Sequence, residues 1–138
     1  MPQIAKTKLT QVIAERELQL AARGRRREKV HVRFGKPRPL PHGRDYGCVY
    51  QIEGLHEEPI TRHIFGVDSI QALELAMQMA MVELVCSTAY GAGRLTWLGM
   101  YDLGLPVAKA IRGRIKKEAR SHQRGRQRPG RGPSSKRP

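Results

Sequence analysis

Lys29-Val30-His31-Val32-Arg33-Phe34, KVHVRF, is the stretch on which the fold turns. Val30, Val32 and Phe34 alternate with His31 and Arg33, the period of a strand with one buried face. Upstream, Val12 to Leu20 reads two ways by itself. Leu9, Val12, Ile13 and Leu20 allow a helical stripe, whereas Val12, Ala14, Leu18 and Leu20 share one strand face, with Arg16 as the exception. KVHVRF decides for the strand, because Arg23-Gly24-Arg25-Arg26-Arg27 between the two runs makes a natural hairpin loop.

Working outward towards the C-terminus, Gly35 to Arg44 holds three prolines and two glycines and reads as a connecting loop. Tyr46, Cys48, Tyr50 and Ile52 then alternate with Gly47, Val49, Gln51 and Glu53, the clearest strand of the chain. Gly54 to Pro59 turns, and Ile60 to Phe65 is a fourth strand with Ile60 and Ile64 on one face beside Arg62, suited to a sheet edge. Asp68 followed by Gln71 starts a helix, Ser69 to about Ala89, with the pattern of a capping box. At 100° per residue, Ile70, Leu73, Met77, Met81 and Leu84 form one apolar stripe, and Leu75, Met79, Val82 and Cys86 form a second on a different side. One sheet cannot cover both. The helix is therefore expected to be sandwiched, with the sheet on one side and either residues 94–108 or a second subunit on the other. Ala72, Ala76 and Ala80 form a flat side open to close approach by another backbone. Gly91-Ala92-Gly93 stops the helix, and Leu95, Trp97, Met100 and Leu103 are placed to fold back on it.

Charge divides the chain. Residues 109–138 carry twelve Lys or Arg against Glu118 alone, +11 of a formal +14, while residues 1–108 hold fourteen basic and eleven acidic side chains. The expected organisation is a flexible N-terminus at 1–10, one α+β domain at 11–107, a basic helix at 108–120 and a disordered basic tail at 121–138. The domain is a four-stranded, mainly antiparallel sheet packed by one long helix. At 138 residues a second domain has no room. The N-terminus lacks the apolar run of a signal peptide. Ile70 to Val85 is too short and too interrupted to span a bilayer, so a soluble, cytoplasmic protein is expected.

The Ile13-to-Leu20 strand, the FGKP turn at 34–37, GVDSIQALELAM from Gly66 and GRLTWLGMYDLGLP from Gly93 together resemble an uncharacterised bacterial family of small domains of unknown function. The resemblance covers about residues 11–107 and leaves the tail outside. It implies a fold and a cellular setting, and it carries no activity.

Residue chemistry gives little support to catalysis. His31, His42, His56, His63 and His122 show no CxxC, HxxxH or HExxH spacing, so no metal or other cofactor is expected; a site from distant residues, such as His31 with His63 on neighbouring strands, is the remaining route. No GxSxG elbow occurs. Ser69 fits the first turn of a helix, and Cys86 reads as packing. Cys48 and Cys86 are too isolated to form a disulfide framework. Asp45 and Asp102 are not brought together by any pattern, and Asp102 suits the amides of its own glycine-rich turn. GAGR at 91–94 follows a helix and so lacks the N-terminal amides that cradle phosphate.

Two surfaces remain. Arg25, Arg26 and Arg27 in the hairpin loop, with Arg112, Arg114, Lys116, Lys117, Arg120, Arg124, Arg126 and Arg128, could neutralise phosphates of RNA or DNA without reading sequence, since no aromatic residue accompanies the tail. The Leu75, Met79, Val82 and Cys86 stripe could instead meet a protein partner or a second copy, as in a regulator, an immunity-type inhibitor or a homodimer, with the tail incidental.

Overall fold

A computed structural model describes residues 7–22 and 26–127, the side chains of 110, 114, 119 and 123–127 excepted. The elements in chain order are β1 (Val12–Ala21), β2 (Arg27–Gly35), β3 (Arg38–Pro39), β4 (Tyr46–Glu53), β5 (Ile60–Gly66), α1 (Ser69–Val85), α2 (Thr88–Gly91), β6 (Leu95–Thr96) and α3 (Lys109–Gln127). The class is α+β, with one antiparallel sheet and a helix packed on it.

The sheet has six strands where four were expected. The four long ones, β1, β2, β4 and β5, are those read from period-two alternation. The other two are two-residue pairings, too short to leave a period in the sequence. β3 pairs Arg38 and Pro39 with Gly47 and Tyr46, and β6 pairs Leu95 and Thr96 with Leu20 and Gln19. Across β4, β2 and β3 share one edge and β5 takes the other. Pro39, which has no N–H to give, accordingly sits in the shortest of pairings.

Alternation sorts the two faces. Leu18, Leu20, Val30, Val32, Phe34, Cys48, Tyr50 and Ile52 all point to the core and are buried. On the opposite face Arg33 donates to Glu15 at 2.7 Å and to Glu53 at 2.8 Å, and Lys29 pairs with Glu17 at 3.3 Å. Glu15 and Arg33 are directly opposite in register, whereas Lys29 reaches Glu17 and Arg33 reaches Glu53 one pair along the diagonal, so charged cross-strand neighbours line this open face. His31 on β2 bonds Glu15 at 3.2 Å, whereas the His63 ring lies 4.6 Å from that of Phe65 on β5; β4 separates β2 from β5, so the two histidines are on strands that do not adjoin. Among the described residues no group of three or more His, Cys, Asp or Glu is placed to hold a metal ion.

α1 begins as its sequence predicts. Asp68 accepts from the Gln71 amide at 2.7 Å, and Gln71 Oε1 accepts in return from the Val67 amide at 2.8 Å. Its packing differs from expectation. The side laid on the sheet is the alanine line, Ala72, Ala76 and Ala80, all fully buried with Met81 and Leu84. Ile70, at the head of the first stripe, is 74% exposed. The reason is distance: a Cβ on Gly66 would meet Ala72 Cα at 2.8 Å, so β5 and the helix approach too closely for large side chains between them. Arg62 and Glu83, 2.7 Å apart, close the same contact at its edge, and burial together with Glu83 raises the Tyr50 hydroxyl well above its ordinary range. α1 also ends at Val85, short of Ala89, because Ser87 donates to the Leu84 carbonyl at 2.6 Å and caps α2 by accepting from Tyr90.

Residues 94–105 do not fold back on the second stripe. They run to the free edge of β1, where Ala21 donates to the Arg94 carbonyl at 2.8 Å and β6 forms. Leu95, Leu103 and Leu105 enter the core from there. Trp97 and Met100 bridge a turn with Leu98 at φ 51 and Gly99 at φ 80. Arg16, the exception on β1, lies over the Trp97 ring at 3.8 Å and donates to the Leu103 carbonyl at 2.9 Å. Asp102 accepts from the Gly104 amide at 2.9 Å, as its turn position implies.

Candidate nucleic-acid interface

α3 reads KAIRGRIKKEARSHQRGRQ, and its few apolar residues, Ile111 and Ile115, fall one turn apart on one side. That side docks. Ile115 is 5% exposed, and Ile111 and Val107 pack against the same core. Glu118 and His122 continue the docked line, with the His122 ring 5.1 Å from Tyr101. Burial first, then the Glu118 and Asp102 carboxylates, push the fully buried Tyr90 up to about 12.

The other side is basic. Lys109, Arg112, Lys116, Lys117 and Arg120 are all exposed, and none makes an ion pair among the described residues. At 100° per residue they occupy roughly 140° of arc opposite Ile111 and Ile115. The helix was expected to end near Arg120 and give way to disorder from 121; it runs on to Gln127, so Arg124 and Arg126 belong to it by backbone. Their side chains and that of Arg114 lie outside the described residues, as do Arg25 and Arg128 altogether. Arg26 and Arg27 are exposed where the hairpin enters β2.

The second apolar stripe of α1 stays uncovered within the described chain. Met79 is 42% exposed, Cys86 is exposed, and Leu75 and Val82 are half-buried. Cys48 is its opposite: fully buried, donating from Sγ to the Gly35 carbonyl at 3.4 Å, with burial pushing the thiol up to about 11. Both cysteines are free thiols. Sequence reasoning missed Ser87, gave Arg16 no role, and set Arg94 aside with the GAGR stretch. Arg16 left a signal as the one charged residue on an apolar strand face, and Arg94 as part of the glycine-rich GAGR; Ser87 left none.

A twisted antiparallel sheet with a helix on one face, open and charged on the other, and closed at its edge by a tryptophan turn defines a small α+β domain. The chain belongs to the family described as a domain of unknown function, DUF6968, whose model matches residues 14–107. No curated protein and no solved structure matches it. α3 follows the matched region, so the basic face lies outside what the family shares. Among the described residues no helix is long and apolar enough to cross a membrane.

Proposed function

We propose that the protein is a non-catalytic, cytoplasmic bacterial binding module that attaches to RNA or DNA through α3, without sequence preference. The observation that carries this is the division of α3 itself: Ile115 is anchored in the core while five exposed cations face outward, none of them in an ion pair among the described residues. A helix held this way presents its charges on a fixed surface, which lowers the ordering cost of contacting a phosphate backbone. Arg26 and Arg27 add positive charge on the folded body.

The test follows from the anchoring. Removing α3 altogether would take Ile115 out of the core, so charge reversal is the cleaner change. Arg112→Glu, Lys116→Glu and Arg120→Glu together should leave the fold intact and weaken binding to single-stranded and duplex oligonucleotides alike. Unchanged affinity across a salt titration would sink the reading.

The exposure of Met79 favours a second reading, in which the Leu75, Met79, Val82 and Cys86 stripe is a contact for a partner protein or a second copy. Met79→Asp with Val82→Asp should then abolish an assembly seen by light scattering and leave a folded monomer.

A further inference from the structure

Where β1 meets β6, the open face of the sheet is not flat. The turn at 97–100 and the Gly93-Arg94 segment border a cavity of about 410 Å³, walled in part by Gln19, Arg27, Gly93, Arg94, Thr96 and Leu98. Its volume lies within the range of small-ligand sites. The chemistry of its wall is one-sided: two guanidinium groups, an amide, a hydroxyl and no carboxylate. Neither Arg27 nor Arg94 makes an ion pair among the described residues. On the same face of β1, Glu17, two positions from Gln19, is already drawn to Lys29 at 3.3 Å.

The wall is also held in place. Arg94 spends one Nη1 hydrogen on the Ala21 carbonyl at 3.2 Å, which fixes the side chain; its other donors have no partner among the described residues. Gln19 Oε1 accepts from the Leu98 amide at 3.0 Å, so the carboxamide NH2 is the end left over. Thr96, 9% exposed, contributes its hydroxyl to the same wall. Leu98 stands 70% exposed at the mouth, on the positive-φ turn that sets it there. α3 reaches the same rim, since a Cβ on Gly93 would meet His122 Nδ1 at 2.9 Å.

We propose that this cavity binds the phosphate of a terminal nucleotide, held between Arg27 and Arg94, with the Gln19 amide and Thr96 hydroxyl as neutral donors and Leu98 against the sugar or base. Paired guanidinium groups suit a phosphate dianion better than the single charge of an internal phosphodiester. The proposal rests on the nucleic-acid reading for the source of that phosphate, a strand end brought to the rim along α3.

The test compares short labelled strands carrying a terminal phosphate with strands ending in hydroxyls, titrated against the full chain. A phosphorylated end should bind about tenfold tighter, the worth of one charge-assisted bidentate contact. Arg27→Gln and Arg94→Gln should each remove that preference. Arg27 has no side-chain hydrogen bond among the described residues, so Arg27→Gln decides the matter if Arg94→Gln unfolds. The α3 triple reversal should weaken all strands equally and keep the preference. Equal binding of both kinds of strand overturns the site while leaving α3 attachment standing; a preference that survives in both arginine variants overturns it too. A nucleoside monophosphate should compete better than inorganic phosphate at the same concentration, and equal competition overturns the nucleotide assignment.

Discussion

Arg16 sits on the core side of β1, where a charge without partners would be costly. Stacking on Trp97 at 3.8 Å and bonding to the Leu103 carbonyl at 2.9 Å, it ties the turn after β6 to the sheet. Arg16→Ala should therefore lower stability by about 1–3 kcal/mol in urea unfolding, and Arg16→Lys should recover little of it because the planar stack is lost. In the sequence Arg16 shows only as an interruption, because its partners are far along the chain. Cys48 and Cys86 make a second residue-level contrast. With Cys48 raised from 9.0 to about 11 by burial, the folded state keeps a proton that the unfolded chain has released. The stability this thiol contributes is whole below pH 9.0 and is lost as the pH rises through about 11. The slope is about 1.4 kcal/mol per pH unit within that window, and Cys48→Ala should flatten it. At pH 8 an alkylating reagent should label Cys86 in the native protein and leave Cys48 untouched, a single adduct by mass spectrometry.

α1 shows what periodicity conveys about an element and what it omits. Its start at Ser69 was legible because a cap is local chemistry, Asp68 and Gln71 within one turn. Its buried side was legible in part: the alanine line read as open to close backbone approach is what meets β5, and Met81 and Leu84 of the first stripe are buried, but that the sheet would take the alanine line was not. A helical wheel weights large apolar residues, whereas the sheet accepted the smallest ones, since Gly66 and Ala72 come within contact of each other. Ala76→Leu should accordingly destabilise the fold by about 1–3 kcal/mol through overpacking, visible as a lowered Tm. Met79→Asp, on the exposed side of the same helix, should leave Tm within a degree or two of the parent. The short strands β3 and β6 escaped for a different reason, as two residues carry no alternation to read. β6 further depended on where the Trp97 turn would dock, and its apolar residues fit a helix or a sheet edge equally well by composition.

At the scale of the whole molecule, the domain and the basic segment answer to different physics. The sheet and α1 obey burial and were readable as α+β from alternation and one capped helix. The basic segment obeys charge, and its composition gave sign and magnitude without geometry. What the fold adds is the anchor at Ile115, which turns part of a +11 segment into an oriented surface. Orientation has a measurable consequence in salt. If half of the eleven net charges meet phosphates, the log–log slope of affinity against salt should be about −4 to −5. Each cation on α3 that contacts a phosphate contributes about −0.9 to that slope. Reversing Arg112, Lys116 and Arg120 should thus make it shallower by about 2–3 if the anchored face is where the strand lies. A slope that falls by much less would place the contacts on charges beyond the anchored turns, and the docking of Ile115 would then serve the core alone.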